Sequence, residues 1–161
     1  MLKYRKNKLG ISIAEVIVAS AIISVFMLSI ANVYNNLVKL SVENTYKTQA
    51  VFLLDEGVEA MKMMRSYSWS DIASSTPGVD YYLIWQNNRW QATTTLVISD
   101  DVFIRKYNVQ NVYRDANTLN IVYSGGVSDN NSKIINMKVE WNYKNATNTK
   151  DTSFYLINIY E

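Results

Sequence analysis

Apolar and small residues run almost unbroken from position 11 to 31, and the one charge among them is Glu15. After Glu15 the next charged side chain is Lys39, with 23 uncharged residues between. At ~1.5 Å per residue such a run makes a helix of ~32 Å, enough to cross a bilayer core of ~30 Å. The pattern then changes without stopping. From 32 to 67 there is no proline, and the single glycine is Gly57. Ala50, Leu53, Leu54, Gly57, Val58, Met61 and Met64 recur at helical spacing, while Asp55, Glu56, Glu59, Lys62 and Arg65 fill the other side. This predicts one helix over 11–67, roughly 85 Å long, with a transmembrane half (11–38) and an amphipathic half (39–70 with its exit). Propensity alone does not hold so long a helix, so the striped half requires a surface to pack on. Gly57 is expected where another backbone comes close.

The segment 70–78 ends the pattern, with the only proline, Pro77, beside Gly78. Beyond it, alternation and β-branched or aromatic residues predict strands at 81–86, 89–95, 102–113, 119–124, 134–143 and 153–160. Asn87-Asn88 reads as a two-residue hairpin turn, because asparagine tolerates positive φ. The polar stretches 125–133 and 144–152 read as loops. A helix followed by six strands predicts an α+β fold: a long N-terminal helix packed on a small, mostly antiparallel sheet that forms a head over 71–161.

Composition narrows the chemistry. The 161 residues contain no cysteine and no histidine, which removes thiolate and imidazole ligands and the commonest general base. No cofactor, metal site or catalytic constellation is expected, and the chain is read as a non-enzyme. Its formal charge of +2 is unevenly placed. Lys3, Arg5, Lys6 and Lys8 precede the apolar run with no acid among them, and the remainder holds 12 basic against 14 acidic groups. The head is therefore near neutral, and a nucleic-acid partner is not indicated. Asp100-Asp101 and Asp129-Asn130-Asn131 read as polar turns, with an oxygen-rich calcium loop as the other reading. Trp85, Trp90, Trp141 and the tyrosines are expected in the core; a stacking surface for sugars or nucleic acid is the alternative.

The segment KLGISIAEVIVASAIISVFML, at 8–28, resembles the N-terminus of type IV pilins and pseudopilins, the class III signal prepilins. That family pairs a short basic leader ending in glycine with an apolar helix bearing glutamate at the fifth position after the cut. Here the resemblance maps 1–10 to a cleavable leader, Gly10 to its last residue, Ile11 to the new, N-methylated terminus and Glu15 to the acidic position. Isoleucine stands where phenylalanine is commonest, and Ser12-Ile13-Ala14 replaces the usual Thr-Leu-Ile. Many major pilins bend this helix with proline, which 11–67 lacks. The later run QAVFLLDEGVEAMKMMRSYSW, at 49–69, looks like the minor-pilin pattern of a helix leading into a tryptophan-containing loop.

Physically, Glu15 is the residue that needs a partner, since a charge at the bilayer centre costs on the order of 2.5–3.5 kcal/mol. Cleavage would supply one, the α-amine of Ile11 on a neighbouring subunit, and the pair would register one subunit against the next. In an uncleaved signal anchor, Glu15 would instead reach the headgroups. The resemblance thus implies a structural, minor subunit of a pilus or pseudopilus. Its partners would be other such subunits, a prepilin peptidase that also methylates, and an inner-membrane assembly platform. It would sit in the bacterial inner membrane, basic leader in the cytoplasm and head outside, before joining a surface filament. The alternative is an uncleaved, signal-anchored receptor or adhesin.

Overall fold

The computed structural model describes residues 12–100 and 102–159. In chain order the elements are α1 (Ile13–Tyr67), α2 (Trp69–Ala73), β1 (Tyr81–Gln86), β2 (Arg89–Thr93), β3 (Ile98–Ser99), β4 (Phe103–Arg114), β5 (Ile121–Val122), β6 (Val127–Tyr143) and β7 (Ala146–Ile157). All strand pairs are antiparallel, in the order β2-β1-β4-β6-β7, and the short β3 and β5 both pair with β4. The protein is α+β: a long N-terminal helix packed on a small antiparallel sheet.

The helix is continuous because nothing in 55 residues interrupts it. By contacts the chain divides at Asn44/Thr45, so α1 contributes to two units. In the second unit the stripe is buried as expected through Ala50, Leu54, Gly57, Met61 and Met64, joined by Ala60. Leu53 and Val58 are half-buried at its margins. The stripe meets the inward residues of the sheet: Phe103, Tyr107 and Val109 of β4, Ile135, Met137, Val139 and Trp141 of β6, and Leu156 of β7. A Cβ on Gly57 would run into the Met137 side chain and crowd that of Arg105, so what comes close here is side chains of β6 and β4 and not the expected backbone.

Arg105 stands among these inward residues and is buried. Its guanidinium donates to the Leu53 carbonyl at 3.1 Å and to Glu56 at 3.0 Å, and lies 5.3 Å from the centre of the Trp90 ring. A buried charge persists only when paired and hydrogen-bonded, so Arg105 fixes the helix against the sheet at one place. Trp141 is core, as expected, whereas Trp85 is exposed and meets Trp90 edge-on.

Both two-residue hairpin turns use positive φ at both positions: Asn87 and Asn88 (53° and 61°), then Lys144 and Asn145 (52° and 61°). The second turn overturns an expectation. Positions 144–152 are not a long loop; the chain turns at once and β7 begins at Ala146. Positions 125–133 are likewise mostly strand, since β6 begins at Val127. Both stretches lack apolar alternation because most of their side chains are exposed and the buried ones, Ser132 and Lys133, are polar; in β7 the β-branched Thr147, Thr149 and Thr152 favour the extended backbone, which β6 pairs. The strand expected at 119–124 shrinks to Ile121–Val122, β3 was not anticipated, and α2 occupies part of the expected break at 70–78.

Candidate functional site

Gly10, Ile11 and the basic residues Lys3, Arg5, Lys6 and Lys8 lie outside the described residues. Glu15 lies within them, in the first turn of α1. Its Oε2 accepts the backbone N–H of Ser12 at 3.0 Å, and Ser12 Oγ accepts the N–H of Ala14 at 3.3 Å. This is a capping box in its glutamate half, with Ser12 at the N-cap and Glu15 three residues on, while the Ser12 hydroxyl takes the N–H of the second helical residue instead of the third; together they satisfy N–H groups that every helix start leaves bare. The S-x-x-E spacing was visible in the sequence; reading Glu15 only as a charge in an apolar run hid it. The bond also has a geometric result. It holds the carboxylate toward the start of the helix, against the positive end of the helix dipole.

Downstream of Glu15 the helix makes its own polar satisfaction. Ser20 Oγ donates to the Ile17 carbonyl at 2.9 Å, Ser24 Oγ to Ser20 at 2.8 Å, and Ser29 Oγ to Val25 at 2.9 Å. A hydroxyl bonded back to the preceding turn needs no water, which suits an apolar surrounding. Around these serines, Ile17, Val18, Ile22, Ile23, Phe26 and Leu28 are all exposed. The helix is long and apolar enough to cross a membrane, and among the described residues its most apolar stretch is wholly exposed. Small residues open shallow grooves along it, one lined by Ala14, Glu15, Val18, Ala19 and Ile22 and another by Ser29, Ile30, Val33, Tyr34 and Leu37. Such grooves admit another helix at close range.

The other sequence candidates are accounted for differently. Asp129 accepts Arg114 Nε at 2.6 Å and the N–H of Asn131 at 2.9 Å. Burial pushes its carboxyl pKa up, but the bonds from Arg114, Ser132 and Asn131 and the Arg114 charge outweigh that and hold it below the usual value. The acid is thus engaged in closing the start of β6 onto β4. Asp101 lies outside the described residues, and Asp100 sits at positive φ in a turn. Among the described residues no three acidic groups gather where a metal ion could be held. A comparison with known protein families, with curated proteins and with solved structures gives no match.

Proposed function

We propose that this chain is a structural protein of a definite class, a single-span subunit stored in the membrane through residues 11–38 and built into a helical assembly. More particularly, we read it as a minor type IV pilin or pseudopilin, cut after Gly10 by a prepilin peptidase and methylated on Ile11. One observation carries the reading: residues 13–38 of α1 keep an apolar surface exposed on all sides, with the one carboxylate of that stretch, Glu15, held in the first turn shortly after a basic, glycine-ended segment. Lipid satisfies that surface in storage, and the apolar helices of neighbouring subunits satisfy it in a filament.

The capping box gives the carboxylate a part in both states. Oε2 is occupied within the subunit, and a carboxylate has further acceptor capacity at Oε1 for the Ile11 amine of a neighbour. The same capping box favours a second reading, an uncleaved signal anchor with a receptor or adhesin head, because it provides Glu15 with a partner without any cleavage. Intact-mass analysis of the mature protein, from cells with and without a prepilin peptidase, separates the two. Loss of residues 1–10 only when the peptidase is present is the expected result. A full-length product in both strains would leave the uncleaved anchor standing.

A further inference from the structure

The sheet face opposite α1 carries three cross-strand rows whose chemistry changes along the strands. Lys106, Lys138 and Asp151 form one row, Asn108, Asn136 and Ser153 the next, and Gln110, Ile134 and Tyr155 the third. The charged row is balanced locally: Lys106 Nζ lies 3.0 Å from Asp80 and 3.2 Å from Glu140, and Lys138 Nζ lies 3.9 Å from Glu140. In the middle row Ser153 Oγ donates to Asn136 Oδ1 at 2.6 Å, and Asn136 Nδ2 donates to Asn108 Oδ1 at 3.0 Å. These bonds fix how the amides lie and hold Asn108 through its oxygen, so its N–H donors remain for a ligand.

The third row runs into aromatic residues because of a break in register. Val109 is buried and Gln110 exposed, so strict alternation would turn Val112 out and Tyr113 in. Between Asn111 and Val112 the pairing slips, from Asn111 opposite Lys133 to Val112 opposite Asp129. After the slip Val112 is buried and Tyr113 exposed. A bulge of this kind re-aims side chains, and here it adds Tyr113 to the outer face. The connection to β5 is built as well. Asp115 Oδ1 accepts the N–H groups of Asn117 and Thr118, and Arg114 Nη1 donates to the Leu119 carbonyl. Just past β5, Tyr123 is 99% exposed.

Two cavities follow from this arrangement. One, of about 290 Å3, is lined by Tyr113, Tyr123, Tyr155, Ile121, Ile134 and Gln110 among others; the second, of about 350 Å3, is lined by Asn108, Asn136, Ser153, Asp151 and Gln110 among others. Gln110 lines both, so an aromatic-lined hollow and an amide-lined one adjoin on this face as a groove in two parts. Each is near the lower end of the ~300–1,000 Å3 range of small-molecule sites.

We propose that this groove binds a neutral oligosaccharide, one ring lying against the tyrosines and the next hydrogen-bonded by Gln110, Asn108 and Asn136. A pyranose offers an apolar C–H face, which suits a tyrosine ring, and hydroxyls that both donate and accept, as side-chain amides do. A polyanion is disfavoured because the lysines here already have carboxylates beside them, whereas phosphate binding needs uncompensated cations. A purely apolar partner would cover the amide groups that this chain of bonds does not use, the Asn108 N–H donors among them, and leave them without partners. The proposal concerns the head and is independent of cleavage after Gly10.

The test uses the full chain in a zwitterionic detergent lacking a sugar headgroup, with cellotetraose, maltotetraose and chitotetraose as probes followed by saturation-transfer NMR. At least one should bind with Kd in the range of about 0.1–5 mM. Tyr123→Ala and Gln110→Ala should each weaken it about tenfold, while Trp85→Ala, outside the groove, should leave it unchanged. No binding of any probe at about 10 mM would overturn the proposal. So would binding that Tyr123→Ala and Gln110→Ala leave intact, or a preference for a heparin oligosaccharide or single-stranded DNA over all three sugars.

Discussion

Residues 13–44 and 45–67 belong to one helix yet solve opposite problems. In the second stretch Ala50, Leu54, Gly57, Ala60, Met61 and Met64 lie on one side and are buried by β4, β6 and β7. In the first, apolar residues occupy every side, and Ile17, Ile22, Phe26 and Leu37 are all exposed. The difference teaches where each set of hydrophobic residues finds its partner. A stripe on one side encodes a fold, because the chain supplies the covering surface. An all-round apolar surface encodes a surrounding, because none of the described residues covers it.

The largest expected effect tests that contrast with one type of substitution. Phe103 is buried against Tyr46 and Trp141, so Phe103→Ala should lower head stability by about 3–5 kcal/mol. Phe26→Ala removes the same atoms from the exposed half and should shift it by less than about 0.5 kcal/mol. Tryptophan fluorescence during denaturant unfolding reads the head alone, because all four tryptophans lie between 69 and 141. Equal losses in both variants would break the comparison.

A second pair of substitutions sharpens it within the amphipathic half. Glu56 pairs with the buried Arg105, whereas Glu59 pairs with the exposed Lys62 at 2.6 Å. Glu56→Ala strands a buried charge, but Glu56 itself is half-exposed, so the loss should be about 1–2 kcal/mol rather than the full value for a buried pair. Glu59→Ala should cost no more than about 0.5 kcal/mol in the same unfolding assay. If Glu59→Ala proves the costlier change, Arg105 does not dock the helix as described.

Smaller still is the pH dependence of the sheet's far end. The Asp129 carboxyl titrates below its usual value, so its contribution is complete above about pH 5 and disappears as pH falls through the folded value. Asp129→Asn should therefore remove about 1 kcal/mol at pH 7 and flatten the acid limb of the stability curve. An unchanged acid limb would show that the Arg114–Asp129 bond adds nothing to stability.

Much of this was legible in the sequence, for identifiable reasons. The long helix declares itself through sustained spacing and the absence of proline, and the β1–β2 turn through Asn87-Asn88. Strands β6 and β7 were undercut because Ser128 and Asn130 in one, and Thr147, Thr149, Lys150, Asp151 and Ser153 in the other, are exposed, while Ser132 and Lys133 are buried polar residues, so period-two hydrophobicity is absent from both stretches. The outer groove was not legible at all. It depends on the slip at Asn111/Val112, a feature of pairing that leaves no mark in local composition. At the helix start the position of Glu15 was plain, but its bond to Ser12 was passed over because charge seemed the whole of its chemistry.

That bond also supplies the sharpest test of what Glu15 does. Glutamine can replace glutamate in a capping box, keeping the acceptor while removing the charge. The measurement is the amount of subunit recovered in sheared filaments relative to the membrane fraction, for the native chain, Glu15→Gln and Glu15→Ala. If Glu15 registers one subunit against the next through the Ile11 amine, both variants should remain in the membrane and be depleted from filaments to a similar degree. Native-like recovery of Glu15→Gln would contradict the charge pair and leave Glu15 as a helix cap alone.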